Sequence, residues 1–250
     1  MGALPRFHLP ADAWEQTGAV LVGDEAHHAA RVLRLVPGDP LEVFDGIGRA
    51  CPASIVSAAP KHVSIQFTGP ARMSPPPLPL LLALAIPKGP AMESAVRQAT
   101  EIGVTRILPL LADHGVVRID DPARRREKWQ RLALEACKQC GRDWLPHVEE
   151  PVRLDLLGRE TGGPDPSELR LVAALSPHAR PLAPCWPAAE PPASVSLVVG
   201  PEGDFSPAEL ETLLHAGYRP LWLGPHILRV DTAVAYGLAI LSQRFFASPA

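Results

Sequence analysis

The sequence predicts an α/β protein in two parts, a small N-terminal β-barrel and a larger C-terminal domain on a mostly parallel sheet. Three observations carry this. Short β-branched or alternating runs separated by glycine and proline turns fill residues 1–73. Ser74-Pro75-Pro76-Pro77-Leu78-Pro79 then excludes a helix or central strand, because proline removes backbone donors and pushes each preceding residue to extended geometry. From residue 80 onward, apolar strands alternate with helices, the pattern of a sheet covered on both faces. The expected organisation is therefore a domain over 1–73, a stiff linker over 74–79 and a second domain over 80–250.

Within the first part, Ala19-Val20-Leu21-Val22, Leu41-Glu42-Val43-Phe44 and His62-Val63-Ser64-Ile65-Gln66-Phe67 read as strands. Glu25 to Arg34 reads as one short helix ended by Pro37-Gly38. Beyond the linker, strands are expected at 79–86, 104–110, near 168–175, at 194–200 and at 219–223. Helices are expected at 91–102 (closed by Gly103), 123–141, 207–216 (closed by Gly217) and 232–246. Gly162 to Asp165 and Pro177 to Pro192 are loops by composition.

Composition excludes several classes. Of 250 residues, 46% are hydrophobic, and 30 Pro with 19 Gly make about a fifth of the chain, short of the ~25–30% that marks low-complexity disorder. The net charge of −3 carries no global basic signal, so any nucleic-acid contact must come from local patches. Four cysteines, at 51, 137, 140 and 185, do not make a disulfide framework in a chain this long. With no charged-then-apolar leader and no apolar run of the ~18–20 residues that a membrane span needs, a cytoplasmic protein is expected.

Three segments carry possible chemistry. In Ser194 to Glu209 a buried strand runs into Gly200-Pro201-Glu202-Gly203-Asp204 and then a marked helix start: Ser206 as N-cap, Pro207 in the first position, Glu209 completing a capping box. A turn at the carboxyl end of a strand is where open α/β sheets bind ligands. Phosphate-loop and dinucleotide patterns are missing, and Glu202 and Asp204 would repel phosphate, which leaves a plain structural turn or a site for a neutral or cationic ligand. The second segment, Leu221 to Ala235, repeats strand, loop and helix. Asp231 there is either a helix cap or a chemical group, and Arg229 lies in an apolar stretch, a costly place for an idle guanidinium. The helix that follows is apolar all round and must be buried in the domain or against another subunit.

The third segment is the helix from Ala123 to Arg142. Trp129, Leu132, Ala133, Ala136, Cys137 and Cys140 fall at three- and four-residue steps, one buried stripe, which makes the cysteine pair a core feature rather than a metal or redox site. Arg124, Arg125, Arg126, Lys128, Arg131, Lys138 and Arg142 oppose only Glu127 and Glu135, leaving about five positive charges, either a solvated face or a set of phosphate contacts. No metal site is expected.

Leu197-Val-Val-Gly-Pro-Glu-Gly-Asp-Phe-Ser-Pro-Ala-Glu209, followed by Leu223-Gly-Pro-His-Ile-Leu-Arg-Val-Asp-Thr-Ala233, resembles the RsmE family of 16S ribosomal RNA uridine-N3 methyltransferases. Arg6-Phe7, His28-x-x-Arg-Val-Leu-Arg34 with Gly38-Asp39, Lys88, Thr100-Glu-Ile-Gly103 and Glu135-Ala-Cys-Lys-Gln-Cys-Gly-Arg142 are similar to the family's other blocks, in the same order. Two departures stand out: Asp204 where the family usually has a third glycine, and Val230-Asp231 for a more usual Thr-Glu.

The resemblance implies a PUA-like β-barrel for RNA, then a SPOUT methyltransferase domain with a deep C-terminal trefoil knot, acting as a homodimer through the knot domain. It implies S-adenosyl-L-methionine as cofactor, held by backbone of three loops: Leu175 and Ser176; Gly200, Pro201, Glu202 and Gly203; Leu223, Gly224, Ile227 and Leu228. The substrate would be 16S rRNA of the small ribosomal subunit. Uridine N3 must lose its imide proton before it can accept a methyl group, so an acceptor and a positive stabiliser are wanted together. On this reading Arg229 stabilises charge on the uracil oxygens, and Asp231 or Glu202 receives the proton. Arg6, Arg31, Arg34, Lys88, Arg124, Arg125, Arg126 and Arg142 would hold RNA phosphates. The alternative is a non-catalytic RNA-binding or ribosome assembly factor on the same scaffold.

Overall fold

In the computed structural model, which describes residues 4–115, 120–187 and 190–246, the chain separates near the proline run. Two positions of the expected Pro177–Pro192 loop, 188 and 189, lie outside the described residues. One compact unit takes Met1–Pro76 with Cys137–Leu145, the other Pro77–Ala136 with Pro146–Ala250.

The first unit contains β1 (Arg6–His8), β2 (Gly18–Val22), α1 (Gly23–His27), β3 (Pro40–Phe44), β4 (Arg49–Ala59), β5 (His62–Phe67) and β6 (Arg72–Met73). The strands form a mixed sheet in the order β1-β3-β4-β5-β2, with β6 on β4. Only β1 and β3 pair in parallel. Alternate residues of these strands, Leu21, Leu41, Val43, Ile55, Val63 and Ile65 among them, meet in one core with Phe7 and Leu9. The longest strand, β4, was not expected: Ala, Ser, Cys and Pro52 give it little β-propensity, and neighbours on both sides supply its ladder. The expected helix 25–34 is also shorter. After His27 the chain widens into a π-turn over His28–Val32, where Leu33 N–H donates to the His28 carbonyl, and it leaves through Arg34 at φ +56°.

Arg6 governs this unit. Its side chain is only 7% exposed. Nε donates to Glu42 at 2.7 Å, and the remaining nitrogens reach Asp143 and the carbonyls of Cys137 and Arg142 at 3.0 and 3.1 Å. The guanidinium also lies 4.5 Å from the Phe44 ring centre. Asp143 accepts further bonds from Arg72 and from Ser74 Oγ at 2.7 Å, and Arg72 pairs with Glu42. This buried network recruits residues 137–145 into the N-terminal unit. It also corrects the reading of Arg6 as an RNA contact: four of its five N–H groups bond internally and the side chain is withdrawn from the surface. Arg142, likewise expected on RNA, is half-buried, and burial pulls its guanidinium below the usual value.

The second unit contains β7 (Leu80–Ala85), α2 (Ala91–Ile102), β8 (Arg106–Leu111), α3 (Pro122–Cys140, whose last residues belong to the first unit), β9 (His147–Val148), β10 (Val152–Arg153), α4 (Leu157–Thr161), β11 (Glu168–Ala173), α5 (Leu182–Cys185), β12 (Ser194–Val199), α6 (Pro207–His215), β13 (Arg219–Leu221) and α7 (Val230–Phe245). The order is β10-β8-β7-β12-β11-β13 with β9 on β8, and the pairs are parallel. Strand β7 is buried at every position, as a strand covered on both faces must be. Leu81, Ala83 and Ala85 face a core shared with Leu157 and Leu213 of α4 and α6. On the other face α7 packs against α2 and β12, with Gly237 so close that a Cβ there would lie 2.9 Å from Leu197. Gly103 at φ +115° closes α2 as expected.

A second buried arginine was not foreseen. Arg170, 4% exposed, donates to the carbonyls of Thr161, Gly162, Gly163 and Ala216 at 2.7–3.1 Å and pairs with Glu168 at 2.8 Å. It thereby satisfies the carboxyl ends of α4 and α6, where a cation is electrostatically favoured. In α3, Trp129, Ala133, Ala136 and Cys137 are buried as the stripe predicts, but Cys140 is exposed, so the pair is not wholly in the core. Burial pushes the Cys137 thiol up to about 12, which keeps it protonated and unreactive. No helix among the described residues is long and apolar enough to cross a membrane.

Arg6→Ala leaves Glu42 and Asp143 facing an unfilled site and should cost about 3–5 kcal/mol in chemical denaturation. Burial alone would raise the Glu42 carboxyl, but the Arg72 hydrogen bond and the Arg6 and Arg72 charges outweigh it and hold it below the ordinary value. That contribution is complete above the unfolded-state value of about 4.3 and is lost as pH falls through the lower folded-state value. Thermal unfolding measured against pH should show this acid limb, and Arg72→Ala should flatten it.

Candidate active site

Strands β11, β12 and β13 lie side by side and end at one edge of the sheet. Their following loops, 174–179, 200–205 and 222–228, enclose a cavity of about 430 Å³. This is the carboxyl-end crevice where open parallel sheets bind ligands.

Hydrogen bonds tie the three loops together. Asp204 Oδ2 accepts from the Leu175 N–H at 2.9 Å and Oδ1 from the Phe205 N–H at 2.8 Å. Arg180 N–H donates to the Pro220 carbonyl at 3.0 Å and Trp222 N–H to the Arg180 carbonyl at 2.8 Å, joining the first loop to β13. Glu202 Oε1 accepts from the Lys88 N–H at 3.1 Å, which brings the end of β7 to the same turn. His114 Nδ1 donates to the carbonyls of Gly203 and Asp204 at 3.1 and 3.0 Å.

The capping box forms as the sequence predicts. Ser206 Oγ accepts from the Glu209 N–H and Ser206 N–H donates to Glu209 Oε2 at 2.8 Å, while Glu209 Oε1 takes the Asp113 N–H at 2.7 Å. The amino end of α6 is thus satisfied by its own side chains and is not an anion cradle. Among the described residues no lysine or arginine lines the cavity, whereas Glu202 and Asp204 do. Among the described residues no group of three or more His, Cys, Asp or Glu could hold a metal ion. The chemistry of the lining suits a neutral or cationic ligand.

Most residues expected at the cofactor line this cavity: Leu175, Ser176, Gly200, Pro201, Glu202, Leu223, Gly224, Ile227 and Leu228. Gly203 does not; it packs against His114 instead. Asp204, the second acid of the glycine turn, and His226, within the third loop, line it as well, and Trp222 lines it unforeseen. Trp222, Leu175 and Ile227, the last 80% exposed, put apolar surface around the cavity. The one sequence signal for Trp222 is its place directly after a strand that ends in a glycine loop.

Arg229 and Asp231 sit beside the cavity in sequence but do not line it. Arg229 is the residue before α7 and is exposed, so its apolar neighbours in sequence impose no burial cost, contrary to expectation. Asp231 is not the cap. It lies in the first turn of α7, where Oδ1 accepts from the Thr232 N–H at 3.0 Å.

The basic residues divide by task. On α3, Arg124, Arg125 and Arg131 are exposed, whereas Arg126 Nε donates to the Val148 carbonyl at 3.0 Å and Lys128 pairs with Glu93. The Lys88 side chain is exposed. In the first unit Arg31 and Arg34 are exposed beside Val32 and Leu33.

Comparison with known proteins agrees with this architecture. Residues 74–242 match a family model described as an RNA methyltransferase domain, and 21–68 an RNA methyltransferase PUA domain. The Mycobacterium bovis protein named ribosomal RNA small subunit methyltransferase E is 33% identical, over 95% of this chain and 92% of its own. A Synechocystis protein of the same name is 33% identical over 86% and 69%. Among solved structures, a Legionella pneumophila methyltransferase with bound S-adenosylmethionine superimposes with a TM-score of 0.85 at 31% identity, covering 97% and 98% of the two chains. The Neisseria gonorrhoeae ribosomal RNA small subunit methyltransferase E, bound to S-adenosylmethionine, gives 0.84 at 26%, covering 96% and 97%. By motif, by fold and by sequence along nearly its whole length, the chain belongs to the RsmE family of small-subunit ribosomal RNA methyltransferases.

Proposed function

We propose that this protein is an S-adenosylmethionine-dependent methyltransferase acting on N3 of a uridine in 16S ribosomal RNA of the small subunit. The observation that carries the reading is the three-loop cavity at the carboxyl edge of the sheet, lined by glycine loops, apolar side chains and two carboxylates, in a chain of this family. The residues fit the cofactor: glycine at 200 and 224 leaves backbone open to it, and Glu202 supplies negative charge near a sulfonium. Bound there, S-adenosylmethionine supplies an electrophilic methyl group. The chain's own residues then prepare the acceptor. Arg229, exposed at the amino end of α7, stabilises the negative charge that develops on the uracil oxygens. Asp231, or Glu202 through the oxygen not engaged with Lys88, takes the N3 proton.

The target base must leave any stack to reach the loops, so grip on the surrounding RNA falls to phosphate contacts. We assign these to Arg31, Arg34, Lys88, Arg124 and Arg125, whose side chains are exposed. The reading includes a trefoil knot, supported by α7 returning from edge strand β13 to pack on β12 and α2. It also includes a homodimer: α7 buries one face in the unit, while Tyr236, Ala239 and Ile240 with Leu182 form an apolar groove that a second copy would cover. A cytoplasmic location follows from the substrate, with residues 1–73 and 80–250 as the RNA-binding and methyltransferase domains.

The test is transfer of labelled methyl to small subunits lacking the modification, followed by digestion to nucleosides. Label in 3-methyluridine is expected; cofactor and RNA binding without incorporation would favour an assembly factor. Arg229→Ala should lower turnover by about 10²-fold or more with cofactor affinity unchanged; equal losses in both would remove its assigned role. Gly200→Val should weaken cofactor binding in calorimetry, since even a Cβ there lies 3.2 Å from Asp204 Oδ1 and the Phe205 ring. Replacing Arg124 and Arg125 together by Ala should reduce the slope of log affinity for RNA against log salt by about 1–2, measured in filter binding.

A further inference from the structure

Asp204 holds a left-handed backbone conformation, φ +58°, that glycine adopts freely and few other residues visit. Its side chain must therefore do something glycine could not. Both carboxylate oxygens are used on backbone amides: Oδ1 on Phe205 within its own turn, and Oδ2 across the cavity edge on Leu175, in the loop after β11. The same residue is held from behind. His114 donates from Nδ1 to the Gly203 and Asp204 carbonyls, and since a carbonyl only accepts, that nitrogen carries the proton. The loop after β8, the turn after β12 and the loop after β11 are thus joined in series through one residue. Leu175 is 65% exposed, so its side chain packs too little to fix the loop.

We infer that Asp204 is a positioning residue, a carboxylate latch that shapes the Leu175 side of the cofactor cavity before the cofactor arrives. A loop already ordered does not lose that freedom on binding, so the latch acts on affinity rather than on the chemical step. The inference rests on the reading of this cavity as the S-adenosylmethionine site.

The experiment compares the full-length protein with Asp204→Gly and Asp204→Asn. Glycine removes the latch and relaxes the backbone; asparagine keeps one accepting oxygen and so one of the two bonds. Dissociation constants for S-adenosylmethionine and S-adenosylhomocysteine, amide exchange at Leu175, melting temperature and KM against kcat would be measured. Asp204→Gly should stay folded, exchange the Leu175 amide faster, and bind both ligands about tenfold more weakly. KM for the cofactor should rise with kcat held, and Asp204→Asn should fall between. Unchanged or tighter binding by Asp204→Gly would overturn the latch. A loss confined to S-adenosylmethionine would overturn it too, because S-adenosylhomocysteine lacks the sulfonium and a selective loss means the carboxylate acts as a counter-charge. If the unaltered protein binds neither ligand, the cofactor reading fails, while Leu175 exchange in the variants still decides whether the latch exists.

Discussion

The candidate site depends on β11, β12 and β13 running parallel and adjacent. A parallel ladder fixes the direction of its strands, so each loop that follows must leave from the same edge. Because β13 joins on the far side of β11, loops distant in sequence become neighbours there. Their mutual hydrogen bonds, Asp204 to Leu175 and Arg180 to Trp222 and Pro220, then convert three loop ends into one cavity wall. The ladder comes first; without it none of these side chains would meet.

Charge is distributed to match. At the carboxyl edge of the sheet the amino end of α6 is closed by Ser206 and Glu209, so the usual anion preference of a helix start is spent internally. Glu202 and Asp204 line the cavity. Two arginines with buried side chains have structural duties: Arg6 gathers residues 137–145 onto the N-terminal sheet, and Arg170 ties down the ends of α4 and α6. Burying a guanidinium is tolerated in both places because carbonyls and carboxylates take its donors.

Much of the fold was legible in the sequence where one physical rule acts alone. Fully apolar Leu80–Ala85 had to be a strand covered on both faces, and Ser206, Pro207 and Glu209 had to start a helix. Strand β4 and the short elements β9, β10, α4 and α5 were not legible: β4 is poor in β-formers, and the others are too short for any period to register. The loops at the site could be placed from their glycines and the strands before them. Trp222 could not be told from any other loop residue, and that Gly203 packs against His114 was not legible because backbone direction within a turn is invisible in the sequence.

By itself the sequence determined the two-part organisation, the alternation of strands and helices, and the glycine turns that mark a ligand edge, because these follow from local periodicity and backbone chemistry. Only the tertiary structure decided which charges are free. A guanidinium reads the same in sequence whether it will stay exposed, as Arg124 and Arg125 do, or meet four carbonyls, as Arg170 does. The difference is made by partners brought from distant positions, and the fold alone supplies them.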